Sequence, residues 1–238
     1  MTAGRYHGFR QVSFLLDGFE AVIVFPEKPE PRRRWVWRAE FLGAFDTVDV
    51  ALLREGWHLL YYRISDRYGS PKAVALMDNF YRYAVEAHGL HPKPAIFGFS
   101  RGGLYTVAFA GSYPDRAGAI YLDAAVADIT HWPLRPGYDS HEKAQCITEY
   151  ELAPGAADTP DNPVYLLPNI IAAKIPLVMV AGLADEAVDY TKNGGPIVEQ
   201  FQAAGIPVSV HLKPDCGHHP HSLEEPAPIA EFLREQIL

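Results

Sequence analysis

Ten residues, Ala95-Ile96-Phe97-Gly98-Phe99-Ser100-Arg101-Gly102-Gly103-Leu104, restrict the fold of this chain more than any other stretch. A short apolar run enters a glycine-flanked turn carrying one serine, and an apolar helical pattern continues through Tyr105, Val107, Ala108 and Phe109. The reading is strand, tight turn, helix, with the serine central to a Gly-x-Ser-x-Gly pattern. Such a turn strains the serine backbone and brings it close to neighbouring chain, an approach that glycine permits cheaply. Ser100 is then expected at the carboxyl end of a central strand, over a helix N-terminus where backbone N–H groups and the helix dipole favour negative charge. A plain Gly/Ser loop would carry the same five residues, so the partners downstream decide.

The rest of the chain alternates strand and helix patterns. Gln11 to Leu16 and Phe19 to Phe25 are apolar, β-branched and aromatic runs joined by Asp17-Gly18, which predicts a tight hairpin and an antiparallel opening. After a Pro- and charge-rich loop, Trp35-Val36-Trp37 reads as a short buried strand. Asp46 or Thr47 is placed to cap a helix that stops at Gly56, and His58 to Ile64 reads as a strand. Pro71 suits the first turn of a helix running to about His88. Strands are expected at Ala119–Leu122, Ile175–Ala181 and Pro207–Leu212, and helices at Pro196–Ala204 and Pro226–Ile237. This alternation predicts an α/β fold: one mostly parallel central sheet with an antiparallel N-terminal hairpin and helices on both faces. Residues 124–168 break the pattern and are too long for a simple connection, which predicts an insertion or partial lid.

At 238 residues and 48% hydrophobic content the chain suits one sizeable domain over residues 1–238. A net charge of -8 argues against nucleic acid as a partner, because phosphate binding needs a basic footprint. Cys146 and Cys216 make no disulfide framework and are expected as free thiols. No apolar run approaches the length of a membrane span, and Met1 to Ser13 lacks the apolar core of a leader, so a cytoplasmic location is expected.

A serine hydroxyl is a poor nucleophile at neutral pH, so acyl transfer needs a base within hydrogen-bond reach and a third group to orient that base. After a glycine-flanked serine of this type the chain order is serine, acid, histidine. Asp185 follows the buried strand Val178-Met179-Val180-Ala181 and a small-residue turn, on the same sheet edge as Ser100 if the strands are parallel. Asp123, at the end of the strand after the Ser100 helix, is the alternative acid. The base is sought in Cys216-Gly217-His218-His219-Pro220-His221, directly after the last strand. His218 is the expected base and His219 its rival, while His221 shapes the loop or starts the final helix. Three nearly adjacent imidazoles do not match the spacings of common zinc sites, so no metal is expected, and acyl transfer through a serine calls for no organic cofactor.

Ser100 within GFSRGG, Asp185 within GLADEAV and His218 within CGHHPHS, in that order, resemble the α/β-hydrolase superfamily along essentially the whole chain. More narrowly, WVWRAEFLGAF (Trp35 to Phe45), GFSRGG, YLDAAVADITHWP (Tyr121 to Pro133) and GHHPHSLEEPAPI (Gly217 to Ile229) are similar to bacterial α/β hydrolases described as esterases, some encoded near carbohydrate esterases. The resemblance implies a serine hydrolase with the triad Ser100, Asp185 and His218, acting on a small-molecule ester such as an acylated sugar. The chain departs from the superfamily by lacking a His-Gly pair after its third strand. The resemblance then implies an oxyanion hole made by the N–H of Arg101 and an N–H near Arg38, each donor being worth roughly 3 kcal/mol.

Arg38 and Arg101 are also candidates for binding a carboxylate or a sugar hydroxyl. Equally, Arg38 suits a buried ion pair with Glu40, and Arg101 a contact with Asp123 at the helix start. Trp37 and Trp132, placed near the expected mouth of the site, are candidate platforms for a sugar ring, with core packing as the other reading.

Overall fold

The computed structural model describes residues 1–238. Its sheet opens with three antiparallel strands, β1 (Thr2–Tyr6), β2 (Phe9–Leu16) and β3 (Phe19–Phe25). At Asp17-Gly18 the hairpin pairs Leu16 with Phe19, and both turn residues have positive φ, 49° and 84°. That mirror-image turn matches the right-handed twist of the flanking strands. A second hairpin at His7-Gly8, with φ of 46° and 89°, lies outside the sequence expectation. Four of the five residues of β1 are exposed, so its hydropathy carries no strand signal.

Six strands continue the sheet: β4 (Trp35–Arg38), β5 (His58–Tyr62), β6 (Ala95–Phe99), β7 (Ala119–Asp123), β8 (Leu177–Gly182) and β9 (Val208–Lys213). The order across the sheet is β1-β2-β3-β5-β4-β6-β7-β8-β9, and every pair from β5 to β9 is parallel. β4 to β8 are buried at every residue, as strands covered on both faces must be.

The cover consists of α1 (Thr47–Arg54), α2 (Pro71–Arg82), α3 (Gly102–Ser112), α4 (His141–Glu149), α5 (Leu167–Ala172), α6 (Gly194–Ala203) and α7 (Ala227–Gln236). The second of these runs on through a π-helical turn, Tyr83–Ala87, which accounts for the helix expected to His88. One core contains Phe80 of α2, Phe109 of α3, Ile170 of α5 and Phe201 of α6; the other contains Leu52 of α1 and Leu233 of α7. Residues 124–168 hold α4 between turns and rest on the 66–70 turn and the start of α3. Tyr150 O–H donates to the Tyr68 carbonyl (2.7 Å), Arg67 pairs with Glu149 (3.1 Å), and Leu104, Val126, Ile129 and Cys146 share a small core. Cys146 and Cys216 are free thiols. No helix is long and apolar enough to cross a membrane.

Two sequence expectations are corrected by the direction of the β4 side chains. Trp37 is fully buried, stacked on Trp35 (5.6 Å between rings) and packed on Phe80 and Phe109, so it is core and no platform for substrate. Arg38 points to the opposite face, where it is sealed from solvent and pairs with buried Asp49 at 2.8 Å. It lies over the Phe99 ring at 3.8 Å and donates to the carbonyls of Glu40 and Ala44, so the carboxylate of Glu40 is not its partner. Likewise Asp46 precedes α1 without capping it, because its carboxylate accepts from Tyr6 O–H (2.6 Å) and faces His7 Nε2 (2.8 Å).

A guanidinium buried this deeply depends on its counter-ion. Asp49→Ala should lower stability by about 3–5 kcal/mol, since it leaves the Arg38 charge uncompensated. Urea unfolding of the variant checks this, and a loss below about 1 kcal/mol would mean that the carbonyl acceptors alone carry the charge.

Candidate functional site

The carboxyl ends of β6, β7, β8 and β9 form one rim, because Phe99, Asp123, Val180 and His211 lie in register across the sheet. Ser100 stands on that rim with φ of 48°, in the left-handed region. A Cβ on Gly98 would lie 2.6 Å from Thr106 Oγ1 and 2.9 Å from Gly103 Cα, so α3 reaches β6 only because that carbon is missing. Backbone bonds fasten the turn to β7 and its extension: Ser100 N–H donates to Asp123 O (2.9 Å), and Ser100 O accepts from Val126 N–H (3.0 Å).

Directly beyond the end of β8, the loop is bonded to the last residue of β9 and to the segment after it. Leu183 N–H donates to Lys213 O and Ala184 N–H to Cys216 O, each at 3.0 Å. A side chain on Gly182 would overlap the carbonyl oxygens of Cys216 and Gly217, so this close crossing requires glycine. The crossing brings Asp185 under the histidine loop. Asp185 Oδ1 accepts from the N–H groups of Ala187 and Val188 (both 2.8 Å), and His218 Nδ1–H donates to its Oδ2 (2.8 Å). That bond fixes the imidazole tautomer, leaving Nε2 to accept from the Ser100 hydroxyl at 3.0 Å. It is His218 that meets the serine. His219 instead stacks on Phe45 (5.5 Å, 13°), and partial desolvation, then the neighbouring imidazoles, hold it below the ordinary histidine range.

Asp123 serves a different histidine. It accepts from Tyr121 O–H (2.7 Å), Ser222 N–H (2.6 Å) and His221 Nδ1–H (2.9 Å), which fastens the far end of the loop. His221 therefore shapes the loop and does not begin the final helix, which starts at Ala227. The side chain of Arg101 contacts Asp66 (2.9 Å) and Glu40 (3.7 Å) instead of Asp123.

The N–H of Arg101 donates to no acceptor within the protein. The second donor expected near Arg38 is not its own N–H. Ala39 N–H points to Phe97 of β6, so strand alternation turns the Arg38 N–H toward β5, in the ladder that pairs it with Tyr61. Three residues on, Phe41 has a free N–H and a φ of 57°. No sequence signal marks it, since positive φ is expected of Gly or Asn before Phe.

Two cavities meet at Phe41. The smaller, about 200 Å3, is lined by Phe41, Ala44, Phe45 and Phe99 together with Ser100 and the three imidazoles. The larger, about 530 Å3, lies beside Arg101 and has a mixed wall, with Glu20, Glu40, Arg63 and Ser65 alongside Val22, Leu42 and Tyr61. Neither includes a residue of 124–168. Trp132 belongs to that segment and packs on Tyr68 (5.7 Å), so it is not at either cavity. Glu40 is buried, with Oε2 accepting from Ser65 O–H (3.1 Å) and Oε1 unpartnered. Burial raises its carboxyl above the ordinary range against the pull of Arg101.

No protein-family model matches the chain, and no curated protein sequence matches it. Solved structures do. A sugar hydrolase of Lactococcus lactis (YeeB) superposes with a TM-score of 0.68 at 15% identity, over 95% of this chain and 98% of that one. Est1E from Butyrivibrio proteoclasticus gives 0.67 at 17%, over 95% and 98%. The fold is that of the α/β hydrolases. An acylaminoacyl peptidase of Pyrococcus horikoshii gives 0.61 at 13% identity over 88% of this chain, which spans only 37% of that longer protein. Within the α/β-hydrolase fold the rim holding Ser100, Asp185 and His218 is the carboxyl edge of the parallel strands, where ligands of open α/β sheets bind. The likeness is one of fold, and substrate has to be argued from the residues at the rim.

Because the folded protein disfavours the ionised form of Glu40, its contribution to stability is fully present below pH about 4 and is lost as pH rises through the raised folded value. Glu40→Gln removes that loss. Its urea midpoint relative to wild type should be higher at about pH 8 than at about pH 4, and an offset independent of pH would show that Glu40 ionises as freely folded as unfolded.

Proposed function

We propose that the chain is a serine hydrolase that cleaves carboxylic esters through an acyl-enzyme. The observation that carries this reading is the unbroken chain from Ser100 Oγ to His218 Nε2 (3.0 Å) and from His218 Nδ1 to the buried carboxylate of Asp185 (2.8 Å). Ser100 attacks the carbonyl carbon while His218 takes its proton; Asp185 holds the imidazole tautomer and stabilises the imidazolium. The N–H groups of Arg101 and Phe41 receive the oxyanion. His218 returns the proton to the leaving alcohol, and water releases the acyl group by the same steps in reverse roles. No metal or organic cofactor enters the reaction.

The substrate reading rests on the two cavities. A space of about 200 Å3 walled by Phe41, Phe45 and Phe99 suits a short acyl chain such as acetyl. The cavity beyond Phe41 offers Glu40, Arg63, Ser65 and Arg101 as hydrogen-bonding groups for a hydroxylated leaving group, so an acetylated carbohydrate is the proposed substrate class. Peptidase, amidase and lactonase chemistry use the same machinery and are separated by substrate profile.

With p-nitrophenyl acetate, Ser100→Ala should lose about a thousandfold or more in kcat/KM, and a fluorophosphonate probe should label wild type and not the variant. Equal turnover by the two proteins would remove Ser100 from the chemistry. Release of acetate from acetylated sugars, with turnover falling steeply from acetate to longer acyl esters, is the expected profile. Faster cleavage of peptides or lactones, or good hydrolysis of aliphatic esters without acetate release from sugars, would overturn the substrate class.

A further inference from the structure

The histidine loop carries more imidazoles than the proposed triad uses. His218, His219 and His221 all line the cavity beside Ser100, and their ligand atoms lie within 4.8 Å of one another. The rings are 4.8 to 5.0 Å apart, centre to centre, and mutually inclined by 63° to 89°. Three imidazoles on one tetrahedral zinc, with Zn–N of about 2.0–2.1 Å, put their ring centres about 5 Å apart. The donor nitrogens themselves, within 4.8 Å of one another, must close to about 3.3 Å to share one tetrahedral ion, so the loop gathers the three histidines and ring rotation completes the set. The turn at Pro220 lets residues 218 and 221 face each other, so spacing along the chain is a poor guide to convergence here.

Two of the three imidazoles are supported as metal ligands are. His218 Nδ1–H donates to Asp185 and His221 Nδ1–H to Asp123, at 2.8 and 2.9 Å, and both carboxylates are buried. A carboxylate behind each imidazole fixes the tautomer with an Nε2 lone pair facing the cavity, which at His218 the Ser100 hydroxyl also uses, and raises its basicity, the usual outer shell of a zinc-bound histidine. The Nε2 of His221 has no protein partner and is not sealed from solvent. His219 is exposed and lines the same cavity from its stack on Phe45, so its ring is the one that must turn to bring a nitrogen to the other two. Two carboxylates directly behind the imidazoles also offset the charge of a divalent ion.

We propose that His218, His219 and His221 form a site for a transition-metal dication of the zinc type, and that its occupancy silences Ser100. The metal takes the Nε2 lone pair of His218, so the imidazole has no electron pair to accept the serine proton. This ion is an external inhibitor and no part of the hydrolytic cycle. Binding stands on the geometry alone, whereas the silencing rests on the esterase reading above.

The test uses chelator-treated full-length protein and zinc chloride, with magnesium chloride as a control that imidazoles bind poorly. Calorimetry on Ser100→Ala should show one zinc per chain, and the same protein with His219→Gln added should bind at least about tenfold more weakly, since a lost ligand costs no less than its lost outer-shell partner. In active protein, zinc should suppress p-nitrophenyl acetate turnover, and His219→Gln should need at least about tenfold more zinc for half-inhibition, each variant measured against its own metal-free rate. His219 is exposed, and matching thermal melts confirm that the variant folds. Equal zinc affinity with and without His219, or an equal effect of magnesium, would overturn the site; zinc that leaves turnover unchanged or raises it would overturn the silencing. Zinc binding by a protein that hydrolyses no ester would uphold the site and refute the esterase reading instead.

Discussion

The contact between β6 and the first turn of α3 leaves no room for side chains, and the geometry of the rim follows from it. With Gly98 lacking a Cβ atom the helix starts directly above the strand end, Gly103 leaves room for the chain at Ala125-Val126 to pass beside it, and Ser100 takes a φ of 48°. A left-handed serine is costly by itself and persists because its backbone is bonded on one side to Asp123 and on the other to Val126. The same strain lifts the hydroxyl off the sheet, toward the loop after β9. A softer turn would leave the serine in the plane of the strand, out of reach of the imidazole.

A second close crossing, at Gly182, does for the acid and base what the first does for the serine. The loop after β9 lies across the end of β8 so tightly that two of its carbonyl oxygens occupy the place of a side chain. Asp185 and His218 are thereby brought together although 33 residues separate them. Two buried carboxylates then hold this loop at both ends, Asp185 through His218 and Asp123 through His221 and Ser222. Asp185 spends its lone pairs on three N–H donors and Asp123 on two N–H groups and the Tyr121 O–H, as a buried carboxylate must if it is to stay buried.

Most of the fold was legible locally. Asp17-Gly18, Pro71 and the buried β-branched runs announce their elements by turn chemistry and hydropathy, and parallel strands follow from the helices between them. β1 was not legible, since four of its five residues are exposed and only His7-Gly8 hints at a hairpin. Trp37, Arg38 and Trp132 were misplaced for one shared reason: being near the rim in sequence does not say which way a side chain points. On β4 alternate residues face opposite layers, so Trp35 and Trp37 join the core with Phe80 and Phe109 while Arg38 meets Asp49 on the other side.

The sequence alone determined the strained serine turn, the strand and helix order, and the candidate acid and base, because each rests on residue types that local backbone geometry demands. Tertiary structure alone decided which of two adjacent histidines meets Ser100, which of two aspartates stands behind it, and that Phe41, with an unpaired N–H, lines the same cavity as the serine. These are matters of angle and approach between segments more than thirty residues apart, fixed by the strand register and by two crossings where only glycine fits.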